Sequence, residues 1–184
     1  CKSTLKDRED KANEIVREKG ACFIHPSNDL NVIIGQGTAC KELLVKQPNL
    51  DFVFVPVGGG GLIAGSALAA KYFGNNCKVI GGEPFEVDDA YRSLKSGKIE
   101  TNLTTNTIAD GLKTQLGDIN FPIIKKHVER IIRVSENEII SSLRLIWERL
   151  KIVCEPSCAV ALAALVREKE NFRNKEIGII ISGG

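Results

Sequence analysis

Short runs of β-favouring apolar residues recur along this chain of 184 residues. Residues 52–57, 78–82, 130–134 and 177–181 form such runs, and each is predicted to be a β-strand. The runs at 52–57 and 177–181 are apolar throughout, which is typical of strands that are buried on both faces of a sheet. The pattern therefore predicts a sheet that other elements cover on both sides.

Helical periodicity dominates the segments between these strands. The predicted helices cover residues 6–19, 30–47, 62–73, 86–97, 120–129, 139–150 and 157–169. In front of the helix at 139–150, Ser135 and Glu138 match a capping box. Strands that alternate with helices indicate right-handed crossovers and a parallel sheet, so the sequence predicts an α/β fold.

Three chemically distinctive features follow predicted strands. They are the glycines Gly58–Gly61, the acid Glu83, and the segment Ser182–Gly184. In open parallel sheets, ligands bind beyond the carboxyl ends of the strands. We therefore expect the functional site to be built from these three features.

The loop VPVGGGGLIAG at residues 55–65 is the strongest chemical signal. Four successive glycines cost backbone entropy and add no side-chain packing, so they need a physical reason. Bare amides can converge on a phosphate, and the N-terminus of the following helix adds partial positive charge. The loop therefore predicts a phosphate site, with a tight packing turn as the alternative explanation.

A dinucleotide site is a competing interpretation of the same loop. Gly59, Gly61 and Ala64 satisfy a loose G-x-G-x-x-A pattern, and Glu83 lies where a ribose-binding acid would be expected. This pattern requires only two of the four glycines. A P-loop is excluded because no Gly-Lys-Ser/Thr follows.

Composition narrows the classes of partner and the location. A net charge of +2 without a basic stripe makes nucleic acid and anionic membranes poor partners, and no apolar run is long enough to span a bilayer. The six cysteines lack framework spacing, which favours reduced, buried thiols in a cytoplasmic protein. The sequence has only two histidines, which are few ligands for a histidine-based metal site. The sequence begins in a polar segment and ends immediately after a predicted strand, so we expect it to be a fragment of a longer protein.

Several segments, in order, resemble fold-type II pyridoxal-phosphate enzymes of the serine racemase and serine/threonine dehydratase family. Besides GGGGLIAG they are HPSNDLNVIIGQGTA (25–39), GGEPFEVDDA (81–90), TIADGLKT (107–114), WERLKIVCEPS (147–157) and IIISGG (179–184). The resemblance covers essentially the whole chain. It implies a large domain like that of the tryptophan synthase β subunit at residues 29–184, with residues 1–28 ending a smaller domain.

The resemblance implies racemisation of serine and elimination of water from serine, threonine or 3-hydroxyaspartate, in a homodimer. Gly58, Gly59, Gly60, Gly61 and the amide of Leu62 would hold the cofactor phosphate. Ser182 would face the pyridine nitrogen, and a hydroxyl there does not enforce full protonation as a carboxylate would. Gly111 would lie against the cofactor ring, and Arg8 and Thr114 would line the substrate side.

The resemblance also implies a cation site and an effector site. Glu83, Asp89 and the carbonyl of Val87 would bind a hard divalent ion such as Mg²⁺, Ca²⁺ or Mn²⁺, for which oxygen ligands are suited. Lys151 matches a position near an ATP effector at the subunit interface. Each of these positions also has an ordinary explanation, as a solvated side chain, a strand-end acid or a helix cap.

The family's Schiff-base lysine and the serine on the opposite face of the cofactor lie in an N-terminal portion outside this sequence. The resemblance therefore assigns no catalytic residue to the chain itself. A Schiff base needs a desolvated amine, and racemisation needs two positioned bases. A nicotinamide-dependent oxidoreductase and a non-catalytic binding fragment remain the alternatives at this stage.

Overall fold

A computed structural model describes residues 5–184, and their side chains from residue 7 onwards. The helices are α1 (Leu5–Lys19), α2 (Leu30–Gln36), α3 (Thr38–Lys46), α4 (Gly61–Phe73), α5 (Asp89–Ser96), α6 (Asn120–His127), α7 (Glu136–Leu145) and α8 (Pro156–Arg167). The strands are β1 (Phe52–Pro56), β2 (Lys78–Pro84), β3 (Val128–Val134) and β4 (Ile177–Ile179). Each predicted strand and helix has a counterpart, so the predicted α/β alternation is confirmed.

The sheet has the strand order β3-β2-β1-β4, and all its pairings are parallel. The chain passes from β1 outwards to β2 and β3, and then returns to place β4 on the other side of β1. Between β1 and β4 the strand order therefore reverses. A crevice forms beyond the carboxyl ends of the strands at such a switch point, and ligands bind there.

Side chains that alternate along β1 separate two hydrophobic cores. Val53 and Val55 pack into the core beneath α2, α3 and α4, whereas Phe54 packs into the core beneath α7 and α8. The Phe54 ring meets Phe172 edge-on with ring centroids 5.0 Å apart. The sheet is thus buried on both faces, as its apolar strands predicted.

The segment predicted as one helix at 30–47 is divided at Gly37 into α2 and α3. A Cβ at Gly37 would lie 2.6 Å from the carbonyl oxygen of Gly65 in α4, so the two backbones approach closely there. Asp29 caps α2 by accepting hydrogen bonds from the amides of Asn31 and Val32. The division follows from packing that the helical periodicity could not reveal.

The long helix predicted to run to residue 150 also differs from expectation. Its capping box is present at Ser135 and Glu138, but α7 ends at Leu145 and continues as a π-helical turn over Ile146–Leu150. Trp147, in this turn, is 46% exposed and donates from its indole nitrogen to the carbonyl of Cys154. The expected helix at 86–97 begins only at Asp89, after a 3-10 turn.

The described cysteines are all free thiols. Cys40, Cys77, Cys154 and Cys158 are buried as expected, but Cys22 is exposed, which corrects the expectation for that residue. Burial raises the pKa of Cys40 and of Cys158 to about 12. Within residues 5–184 no helix has the length and apolar character needed to cross a bilayer.

Candidate functional site

A cavity of about 420 Å³ opens at the switch point between β1 and β4. The segments that follow both strands contribute to it, together with three loops from elsewhere in the chain. Its walls include Pro26, Ser27, Gln36, Gly58–Ile63, Gly111, Leu112, Thr114, Glu155, Ser157 and Ser182. The structure thus brings the glycine loop and Ser182 into one cavity, as the positions of the strand ends predicted.

The glycine loop ends in the N-terminus of α4. Gly60 has φ = 85°, a left-handed conformation that glycine adopts without strain, and α4 begins at Gly61. Among the described residues, no carbonyl or side chain accepts a hydrogen bond from the amides of Gly58–Leu62. The first amides of a helix have no partner within it, and the helix dipole gives them partial positive charge. These donors suit the phosphate of a compact ligand.

Close packing is a second explanation for the run of glycines in this loop. A Cβ at Gly60 would lie 2.6 Å from Leu116 Cδ2 and 2.8 Å from Asn120 Oδ1. A Cβ at Gly59 would collide with the Ser27 hydroxyl, and one at Gly61 with the Gln36 amide oxygen. The close packing of the protein around the loop therefore favours glycine independently of any ligand.

Gly111 and the start of α8 form another part of the cavity wall. The amide of Gly111 donates to the hydroxyl of Ser157, 3.0 Å away, and Ser157 is almost completely buried. The amide of Glu155 donates to the carbonyl of Gly183 at 3.2 Å, which ties α8 to the segment carrying Ser182. Gly111 and Ser182 therefore line the same cavity, where a ring held by its phosphate at the glycine loop could reach them.

Neither Ser157 nor Glu155 was singled out from the sequence. Both line the cavity, and a Cβ at Gly183 would lie 3.1 Å from Glu155 Oε1. The available signal was a short polar turn, Glu-Pro-Ser, that opens an otherwise apolar helix. Ser27 was missed for a different reason, because its role depends on a contact with the glycine loop.

A second cavity of about 750 Å³ adjoins the first and shares Pro26, Ser27 and Thr114 with it. Arg8 of α1 and the segment from Thr114 to Asp118 both line this second cavity. The two residues predicted for the substrate side, Arg8 and Thr114, therefore line one cavity next to the glycine loop.

His25 has a structural role in the turn that borders both cavities. Its Nδ1 accepts hydrogen bonds from the amides of Ser27 and Asn28, at 3.2 Å and 2.9 Å. The nitrogen that faces the turn is thus occupied. His25 therefore holds the backbone of this turn in place.

Glu83 lies near the end of β2, Asp89 is the first residue of α5, and both are buried. Both Glu83 oxygens accept backbone hydrogen bonds at the start of α5, from Ala90 at 3.0 Å and Tyr91 at 2.9 Å. Burial, followed by the neighbouring Asp89, raises the pKa of Glu83 well above its ordinary value. Burial also raises the pKa of Asp89 to about 6, against the hydrogen bond from the Leu116 amide.

Within the described chain no ion pair reaches either of these carboxylates, and Asp89 Oδ1 is buried without a hydrogen-bond partner. Val87 is also buried, in the 3-10 turn that joins β2 to α5. No cluster of three or more His, Cys, Asp or Glu side chains occurs in the described chain, so side chains alone do not complete a metal site. Two carboxylates and a carbonyl are oxygen donors of the kind that hard divalent cations prefer.

The geometry of Glu83 argues against the dinucleotide interpretation. That interpretation assigned the Glu83 carboxylate to a ribose diol, but Glu83 is 0% exposed and is not among the residues that line the cavity. Its two oxygens already accept hydrogen bonds from the backbone of α5.

Lys151, which was expected near an effector nucleotide, lies outside both cavities. It is exposed and adopts a left-handed conformation after the π-helical turn.

Comparison with known proteins is consistent with this geometry. Residues 1–183 match the model of the family described as "Pyridoxal-phosphate dependent enzyme". Serine racemase of Dictyostelium discoideum is 46% identical over the whole chain, and its crystal structure superposes with a TM-score of 0.90. The β-hydroxyaspartate dehydratase of Paracoccus denitrificans is 42% identical over the whole chain. L-threo-3-hydroxyaspartate ammonia-lyase of Saccharomyces cerevisiae is 43% identical over 97% of the chain.

These relatives are considerably longer than the chain. The chain spans 58% of the Dictyostelium and Paracoccus proteins, 55% of the yeast protein, and 60% of the Dictyostelium crystal structure. The similarity thus covers the described α/β sheet and its switch-point cavity, and leaves the remaining two fifths or more of each relative unmatched.

Proposed function

Because the chain belongs to the family of pyridoxal-phosphate dependent enzymes, we propose that the protein carrying it racemises serine and eliminates water from serine, threonine or 3-hydroxyaspartate. The observation that carries this proposal is the set of unpaired amides in the glycine loop at the N-terminus of α4. The names of the relatives support both reactions, since serine racemases and hydroxyaspartate lyases match at similar identity.

In this proposal Gly58–Gly61 and the amide of Leu62 hold the phosphate of pyridoxal phosphate. Gly111 would support the ring, and the Ser182 hydroxyl would face the pyridine nitrogen. When bound, the cofactor withdraws electrons from the Cα of an amino acid and so acidifies its proton. A hydroxyl at residue 182 leaves the nitrogen incompletely protonated, which suits racemisation and β-elimination.

The substrate occupies the second cavity, next to the cofactor. Arg8 offers a guanidinium for a substrate carboxylate, and charge-assisted hydrogen bonds of this kind are strong and directional. Thr114 lies between the two cavities, where its hydroxyl can orient the amino acid. The residues that move protons at Cα, including the Schiff-base lysine, are proposed to lie in the part of the family fold that this chain does not match.

A divalent cation completes the proposed assembly behind the cofactor loop. Glu83, Asp89 and the Val87 carbonyl would bind it, and the unpaired buried oxygen of Asp89 is the observation that supports this. The cation would supply the positive charge that two buried carboxylates require. It would also fix the start of α5 and the Leu116 amide, both of which bond to these acids.

Four further features complete the proposal. Residues 1–28 would end a smaller domain, and residues 29–184 would form the cofactor-binding domain. The protein would be a cytoplasmic homodimer, and Lys151 would lie near ATP bound at the subunit interface. These features rest on the family resemblance and on the exposure of Lys151.

The test uses the full-length protein that carries this chain. It should absorb at about 410–420 nm and lose this band on treatment with borohydride, as expected for a lysine-bound cofactor. Incubation with L-serine, followed by chiral chromatography and a 2-oxo acid assay, should yield D-serine and pyruvate. A colourless protein that retains nicotinamide, or a yellow protein that forms neither product, would contradict the proposal.

A further inference from the structure

Asn120, the first residue of α6, joins three segments around the glycine loop. Its side-chain nitrogen donates to the carbonyl of Gly59 at 2.8 Å and to the carbonyl of Ser27 at 2.9 Å. Its side-chain oxygen accepts from the amide of Gly117 at 3.1 Å. One fully buried side chain therefore links the glycine loop, the turn at Ser27 and the loop before α6.

The contact with the Gly59 carbonyl bears directly on the phosphate site. The peptide unit between residues 59 and 60 is planar and trans, so its carbonyl and its N–H point in opposite directions. When Asn120 holds the Gly59 carbonyl, it also fixes the direction of the Gly60 amide. That amide is one of the donors without a partner in the described chain.

Serine, threonine, alanine or aspartate at residue 120 could not make the same contacts. Gly59 and Ser27 both offer carbonyl acceptors, so the side chain must present two N–H donors, and Gly117 requires an acceptor. A primary amide provides both donors and acceptor on one rigid group. Asparagine reaches all three from the start of α6.

We propose that Asn120 is a positioning residue that aims the glycine-loop amides at the cofactor phosphate and ties them to the Ser27 turn bordering the substrate cavity. The inference rests on the proposed function, since it requires that a phosphate binds at this loop. Asn120 acts through Gly59 and does not itself touch the cofactor.

The test compares two ligands on the full-length apoprotein: pyridoxal 5′-phosphate, and pyridoxal, which lacks the phosphate. Asn120→Asp keeps the shape and the acceptor for Gly117, but it places a carboxylate oxygen against two carbonyl oxygens. Loss of about one aimed hydrogen bond should weaken pyridoxal 5′-phosphate binding roughly tenfold and leave pyridoxal binding unchanged. Asn120→Ser loses the N–H donors without adding charge, and it should likewise weaken the binding of pyridoxal 5′-phosphate but not that of pyridoxal.

A matched control addresses general destabilisation. Ser135→Ala removes the N-cap of α7, which lies outside both cavities, and should lower the melting temperature without changing the ratio of the two dissociation constants. If both Asn120 variants weaken the two ligands equally, Asn120 is merely structural and the inference is wrong. If the variants retain the wild-type ratio, the inference is also wrong.

The same titration separates this inference from the proposed function. If wild-type protein binds pyridoxal as tightly as pyridoxal 5′-phosphate, the phosphate group contributes nothing to binding, and the proposed function is wrong. If wild-type protein prefers the phosphorylated ligand and the Asn120 variants keep this preference, only the proposed role of Asn120 is wrong.

Discussion

Replacing Gly60 with alanine perturbs the glycine loop at its most constrained residue. Gly60 has φ = 85°, and an added methyl group would lie 2.6 Å from Leu116 Cδ2 and 2.8 Å from Asn120 Oδ1. The left-handed conformation costs alanine about 1–2 kcal/mol. Overpacking against these neighbours adds about 1–3 kcal/mol. Alanine also reduces the entropy of the unfolded chain, which offsets about 0.4–1 kcal/mol.

Gly97→Ala is a matched control that isolates the packing cost. Gly97 has φ = 77°, close to that of Gly60, but its added methyl group would meet only Lys125 Nζ, at 3.4 Å. The conformational strain and the unfolded-state term are therefore nearly the same in both variants. The difference between their free energies of unfolding should equal the overpacking cost at Gly60, about 1–3 kcal/mol.

Urea unfolding followed by circular dichroism measures both variants in the apoprotein. Gly60→Ala should unfold at a clearly lower urea concentration than Gly97→Ala, and only Gly60→Ala should bind pyridoxal 5′-phosphate more weakly, because its amides are displaced. Equal midpoints would show that the packing around Gly60 is not as described. Unchanged cofactor affinity in Gly60→Ala would refute the assignment of the loop to the phosphate.

Three further substitutions test separate parts of the account. Ser182→Ala should lose about one hydrogen bond, roughly 1 kcal/mol, and weaken cofactor binding about fivefold in a fluorescence titration. Asp89→Asn should abolish the rise in melting temperature that Mg²⁺ or Ca²⁺ gives the wild type, expected to correspond to about 2.7 kcal/mol at a hundredfold excess over Kd. Burial acts to raise the pKa of Glu138, but hydrogen bonds from Ser135 and the Arg167 pair hold it below its ordinary value of 4.5. A lowered pKa in the folded state gives stability that is present above the unfolded pKa and lost as the pH falls through the folded one. Glu138→Gln should therefore narrow the difference in urea midpoint between pH 7 and acid conditions.

Controls distinguish these effects from general loss of structure. Asp88 pairs with Arg92 and Arg133, so Asp88→Asn should lower stability while the response to the cation persists. A cation response retained in Asp89→Asn would remove Asp89 from the site. An acid-induced loss of stability in Glu138→Gln as large as in wild type would show that the Glu138 carboxylate does not carry it.

The parts of the fold and site that follow local rules could be predicted from the sequence. Short β-favouring runs predicted the strands, and the rule that ligands bind beyond strand ends joined Gly58–Gly61 to Ser182 although more than a hundred residues separate them. The capping box at Ser135 and Glu138 was predicted because it depends on residues three apart.

The parts that depend on long-range packing could not be predicted in the same way. The division at Gly37 follows from close contact with Gly65, and the hydrogen bond from Asn120 to Ser27 spans 93 residues of sequence. Periodicity reports which face of an element is buried, but not which partner lies against it. The sequence thus predicted that the glycine loop lines the cavity, but not that the Asn120 side chain holds the Gly59 carbonyl.

The central claim is that the bare amides of residues 58–62 bind the phosphate of pyridoxal phosphate. The most direct test is a crystal structure of the full-length protein with the cofactor bound. The account predicts a single phosphate group about 2.7–3.2 Å from amide nitrogens of this loop, with the pyridine nitrogen beside the Ser182 hydroxyl. A phosphate bound elsewhere, or a dinucleotide pyrophosphate in the loop, would contradict it.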